Sequence, residues 1–106
     1  MKELTELDKQ LLIAAKEGKT DKVESLWRKG ADLDAQDPQN GMTAMHIACQ
    51  HEDASMVKFL YGLGALTTIE DNYGRTPKKV ASFMGRAYRA LAVAEAFEMD
   101  RSMLDM

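Results

Sequence analysis

Apolar residues recur along this chain at intervals of three and four, and the runs stop at glycine. In "LLIAAKEGKT", Leu11, Leu12, Ala14 and Ala15 share one side of a helix that Thr5 or Asp8 can cap and Gly18 can end. Thr20 can cap a second helix, in which Val23, Leu26 and Trp27 follow the i, i+3, i+4 pattern up to Gly30. The same helix-turn-helix returns from Thr43 to Gly62. A third starts at Thr76 and Pro77, since proline in the first helical position gives up no needed N–H. The last helix, about Arg86 to Glu98, places Ala87, Ala90, Leu91, Ala94 and Phe97 on one face, and its extra length suits a lid over the final core. The pattern predicts an all-α chain of short paired helices.

The pairs are copies of one unit. Ile13, Ala14, Val23, Leu26, Gly30 and Ala31 each stand 34 positions before Ile47, Ala48, Val57, Leu60, Gly64 and Ala65. Gly41, Thr43, Ile47 and Ala48 stand 33 positions before Gly74, Thr76, Val80 and Ala81, the difference falling in "DPQNG", one residue longer than "DNYG". With this period, the segments "GMTAMHIAC", "KGADLDAQD" and "DNYGRTP" resemble the ankyrin repeat. The resemblance runs from about Leu7 to Gly85 and is loosest at both ends, as in a capped array whose terminal repeats face water. It implies a helical solenoid forming a single domain over 1–106, with repeats at about 5–36, 37–70 and 71–98 and a tail at 99–106.

Composition narrows the setting. With 106 residues and 45% apolar content, the chain can build one core without disulfides or metal. Its single cysteine, Cys49, has no intramolecular partner and suits a reducing compartment. The N-terminal "MKELTELDKQ" is polar and acidic where a signal peptide would be basic and then apolar, and no apolar run approaches the roughly 20 residues of a membrane span. A cytoplasmic location is expected, in the cell of origin or in a host after delivery. A net charge of -3 disfavours nucleic acid as a partner.

His46, Cys49 and His51 fall within six positions and invite a metal or catalytic reading. On one helix His46 and Cys49 point in similar directions, but His51 is turned about half a revolution from Cys49, a poor arrangement for zinc. The ankyrin resemblance implies instead that His46 bonds nearby backbone and loop groups, Cys49 fills a small-residue slot and His51 faces outward. "GLG" at Gly62 to Gly64 follows no strand, and Ser25, Ser55 and Ser82 lie in no nucleophile elbow. No enzymatic activity, cofactor or metal is expected.

The resemblance implies a protein-binding module that meets its partner through turn tips and the outward side of each first helix. That surface would hold Lys16 and Glu17; Gln36, Gln39, Asn40 and Met42; Gln50 and His51; Glu70, Asn72, Tyr73 and Arg75; and Phe83 and Met84. Tyr73 is the expected anchor. Arg75, Lys78 and Lys79, with Arg86 and Arg89, form a second candidate, a basic patch for an acidic partner surface. Lys78 and Lys79 stand where the family has buried residues, so this end must be open to solvent or covered by a partner. The alternative is a structural or oligomerising subunit that uses the C-terminal end of the stack, with Lys78, Tyr88, Phe97 and the tail residues Met99, Met103 and Leu104. A monomer or weak homo-oligomer is expected, with no membrane partner.

Overall fold

The computed structural model describes residues 3–96. They form α1 (Glu6–Lys16), α2 (Thr20–Arg28), α3 (Ala44–Gln50), α4 (Ala54–Leu63), α5 (Pro77–Val80) and α6 (Arg86–Ala96). Within each repeat the two helices pack together, α1 on α2, α3 on α4 and α5 on α6. Between repeats α3 lies against both α1 and α5, and α4 lies against α6. Small residues permit this close approach: Ala14, Ala48 and Cys49 are fully buried, beside Leu11, Met45, Met56, Val57, Leu60, Ala87 and Leu91. The fold is the all-helical stack that the repeat predicts.

Local chemistry sets the helix ends. At α1 both candidate caps act together: the Asp8 N–H donates to Thr5 Oγ1 and the Thr5 N–H donates to Asp8 Oδ2, each at 3.1 Å. Asp8 is buried, and its Oδ1 also accepts from the Asp32 N–H at 2.8 Å, so the cap fastens α1 to the segment after α2. Thr20 is the first residue of α2 and not its cap; the N-cap is Lys19, which makes no side-chain capping bond. The α4 helix ends on Gly64, a left-handed C-cap with φ 103°.

One expectation about packing needs correction, and one helix departs from its counterpart. Trp27 keeps 38% of its surface exposed, because Val23 and Leu26 alone fill the stripe that α2 turns to the core. The α5 helix is one turn long, shorter than its counterpart α3. In α3 the cap is locked by a histidine ring, and Lys79, at the matching place in α5, has no acceptor to offer a backbone N–H. Ala87, Ala90 and Leu91 of α6 are buried as expected, whereas Phe97, Glu98 and the 99–106 tail lie outside the described residues.

Candidate functional site

Each of the two inter-repeat turns is held by its own aspartate. In the first, the Asp37 N–H donates to the Met42 carbonyl at 2.9 Å, and Asp37 Oδ1 accepts from the Gln39 N–H at 2.8 Å. In the second, the Asp71 N–H donates to the Arg75 carbonyl at 2.9 Å, and Asp71 Oδ1 accepts from the N–H groups of Tyr73 and Arg75, both at 2.9 Å. An aspartate that bonds backbone two residues ahead is a local solution to turn formation.

The turns are also bonded to each other. The Asn72 N–H donates to the Asn40 carbonyl at 2.9 Å, and Asn72 Nδ2 donates to the Gln39 carbonyl at 3.3 Å. Gln36 Nε2 bridges the Gly41 carbonyl at 2.9 Å and the Glu70 carbonyl at 3.1 Å. The amides expected to rim a binding surface therefore do structural duty as well. Met42 is only 4% exposed, which corrects its place on that surface: the chain is turning into the α3 cap there, and its side chain enters the core.

Tyr73 is 77% exposed at the tip of the second turn. Arg75 sits beside it, with Cζ 5.3 Å from the ring centroid and Nε bonded to Asp71 Oδ2 at 2.8 Å. The guanidinium is thus already paired, bracing the tyrosine from one side. Asp71 is buried; desolvation raises its pKa, but bonds from the Arg75 and Tyr73 backbone and from the Arg75 guanidinium outweigh that and leave it below 3.8, its ordinary value.

His46 reaches this turn from α3. Its Nδ1 accepts from the Thr43 N–H at 3.1 Å and lies 2.9 Å from Thr43 Oγ1, which places the proton on Nε2; that group donates to the Arg75 carbonyl at 2.8 Å. The ring is fully buried, and burial pulls its pKa below 6.5 even though the bond to Arg75 pushes the other way. Cys49 is buried too, its thiol pushed up to about 12 by desolvation, far from the thiolate that nucleophilic or metal chemistry needs. His51 is exposed at the C-cap of α3. With both His46 nitrogens committed to backbone, the three side chains do not converge; among the described residues no three His, Cys, Asp or Glu side chains stand together at metal-binding spacing.

A model of the family described as "Ankyrin repeats (3 copies)" matches residues 11–100, most of the chain. The chain belongs to the ankyrin-repeat family. It is also 33% identical over 79 residues to the protein named neurogenic locus notch homolog protein 1 from Xenopus laevis, a match that takes in 73% of this chain and 3% of that relative. Ankyrin repeats are in general protein-interaction modules and typically not enzymes. Among the described residues of this ankyrin domain, no helix is long and apolar enough to cross a membrane.

On the ankyrin frame, Lys16 and Glu17 at the end of α1, and Gln50 and His51 at the end of α3, are exposed. Gln36, Gln39, Glu70 and Asn72 are exposed in the turns, and Asn40 is half-buried. Phe83 and Met84 lie in the loop before α6, 79% and 52% exposed, with the Phe83 ring edge-on to Tyr88 at 5.1 Å. The sequence reading missed Ile13, which is 54% exposed and lines a shallow groove with Leu4, Leu12 and Pro38 beside the first turn. A signal was available: Ile13 lies between two buried pairs, Leu11 with Leu12 and Ala14 with Ala15, on the side of α1 that they leave free.

The basic run does not form one patch. Arg75 pairs with Asp71, and Lys78 pairs with Glu95 at 3.4 Å while lying 5.8 Å from the Tyr88 ring centroid. The half-buried position of Lys78 is thus paired, meeting the demand that a lysine in a core slot makes. Arg86 and Arg89 line a different groove, with Lys58.

Proposed function

We propose that this ankyrin domain is a non-enzymatic adaptor that binds a partner protein across its turn tips and the outward ends of its first helices. The contact residues are Gln36, Gln39, Asn40, Gln50, His51, Glu70, Asn72, Tyr73, Arg75, Phe83 and Met84, with Ile13 added. The observation that carries the reading is Tyr73: a large amphipathic side chain, 77% exposed, on a turn held by Asp71, Arg75 and His46. The turn backbone is already held before docking, so only the side chain has freedom to lose. A cytoplasmic setting suits the single buried thiol.

The test is affinity capture with the whole chain as bait, followed by titration of the captured partner. Tyr73→Ala should weaken binding about tenfold or more, the loss of a mid-sized hot spot, while leaving the melting temperature within a few degrees. Glu24→Ala, on α2, should change neither. Undiminished binding by Tyr73→Ala removes the turn tips as the contact.

A second reading draws on the C-terminal end of the stack, where Lys78 lies 5.8 Å from the Tyr88 ring, and it assigns the exposed Phe83, edge-on to Tyr88, to that end in place of the turn-tip surface. There the chain would join a second copy or a fixed subunit. Sedimentation over a range of concentrations separates the two, since an oligomer built on that end would dissociate on dilution and in Phe83→Ser.

A further inference from the structure

We propose a second docking surface, on the α4/α6 side of the domain, for an acidic amphipathic segment of a partner protein. A groove of about 350 Å³ runs between these helices, lined by the apolar Ala54, Ala90 and Val93 and the cations Lys58, Arg86 and Arg89. Helical periodicity assembles it. Ala54 and Lys58 are four apart on α4, and Arg86, Arg89, Ala90 and Val93 follow one stripe of α6. Val93 is 56% exposed there, a branched apolar side chain facing out between charges.

Charge selects the occupant. Among the described residues four cations have carboxylates, Lys19 with Glu17, Arg28 with Glu24, Arg75 with Asp71 and Lys78 with Glu95; Lys9, Lys16, Lys22, Lys29 and Lys79 have no ion pair but lie on other helices or at their ends, outside this groove. Lys58, Arg86 and Arg89 have no ion pair among the described residues, and no carboxylate lines their groove. The acids next to it in sequence are committed to backbone. Asp53 Oδ1 accepts from the Met56 N–H at 3.1 Å, and Glu52 accepts from the N–H groups of Ser82 and Ala87 at 2.9 and 3.5 Å. Three unpaired cations around an apolar strip complement carboxylates spaced along a segment that also carries an apolar side chain for Val93. A nucleic acid or an anionic membrane would extend past three cations onto a body whose net charge is -3, so a short acidic segment is favoured over either.

The probe is a fluorescein-labelled amphipathic peptide of Glu and Leu, titrated with the whole chain at low and physiological ionic strength. Saturable binding that weakens with salt is expected, with the amide resonances of Ala54, Lys58, Ala90 and Val93 shifting. Combined Lys58→Glu, Arg86→Glu and Arg89→Glu should weaken it about tenfold or more. Val93→Ser should weaken it without any change of charge. Because all four side chains are exposed, melting curves should show these variants folded. Tyr73→Ala should bind the peptide as the wild type does, which keeps this groove separate from the turn-tip surface. The proposal fails if a Gln and Leu version of the peptide binds equally well, or if the charge-reversed and Val93→Ser proteins both keep full affinity. It fails equally if phosphatidylserine vesicles or duplex DNA are bound and the peptide is not.

Discussion

At the scale of single residues, His46 joins two repeats through opposite nitrogens. Nδ1 closes the α3 cap with Thr43, and Nε2–H holds the Arg75 carbonyl of the next turn. Removing it leaves the buried Thr43 N–H without this partner and takes one of two donors from the Arg75 carbonyl, which keeps the Asp71 N–H, so His46→Ala should cost about 1–3 kcal/mol. His51→Ala, at an exposed site, should cost almost nothing. The buried ring also carries a pH signature. Because its folded pKa lies below 6.5, the unfolded chain binds more protons between those values. Stability from this residue is complete above pH 6.5 and is lost as pH falls through the folded pKa. Asp71, also depressed, adds its loss only below 3.8. Chemical denaturation at pH 7.5 and pH 5 should show the wild type weakening on acidification and His46→Ala weakening less. Equal slopes would mean that the ring is not buried neutral.

At the scale of elements, the turns depend on glycine to different degrees. Gly41 and Gly64 both have positive φ, 75° and 103°. A Cβ on Gly64 would meet nothing within 4 Å, whereas one on Gly41 would lie 2.7 Å from the Asn72 backbone nitrogen. Gly64→Ala should therefore cost only the left-handed backbone term, about 1–2 kcal/mol. Gly41→Ala should add about 1–3 kcal/mol of overpacking, because the two turns would have to separate. Urea midpoints of the two variants decide this, and equal costs would argue against the stacked turns. Glu52 is the converse case, a non-glycine at φ 55° in the place that Gly18 holds in the first repeat, while in the third the left-handed residue is Met84 at φ 63°. Its carboxylate caps the Ser82 N–H, and a Cβ on Gly85 would strike it at 2.5 Å, so glutamate in one repeat goes with glycine in the next.

At the scale of the whole molecule, a linear stack is only as cooperative as its interfaces. The α3 helix is flanked on both sides, with His46, Ala48 and Cys49 fully buried. The α5 helix is one turn long, lacks a side-chain cap and carries two lysines. Native-state hydrogen exchange should therefore find the α3 amides opening near the global unfolding free energy and the α5 amides several kcal/mol sooner. Uniform protection across the two would mean that α6 holds the last repeat as firmly as the middle one.

The amino-acid sequence by itself determined the architecture. A repeat of 33 and 34 residues, glycine stops and apolar stripes are local and periodic signals, and each repeat restates the same fold. The positions of Val23, Val57, Leu60 and Leu91 in the core were legible for that reason. Tertiary structure decided what the surface offers. Met42, which the family resemblance places on the surface, is buried where the chain turns into the α3 cap, and Ile13 is exposed on the flank of α1 that its buried stripe leaves free. Arg75 proved to be paired and braced against Tyr73, a result of turn geometry and not of sequence spacing. The run from Arg75 to Arg89 was divided because its members lie on different elements, leaving Arg86 and Arg89 with Lys58, which sequence distance had hidden. Burial along a helix follows from periodic pattern, whereas which charges meet depends on contacts between elements far apart in the chain.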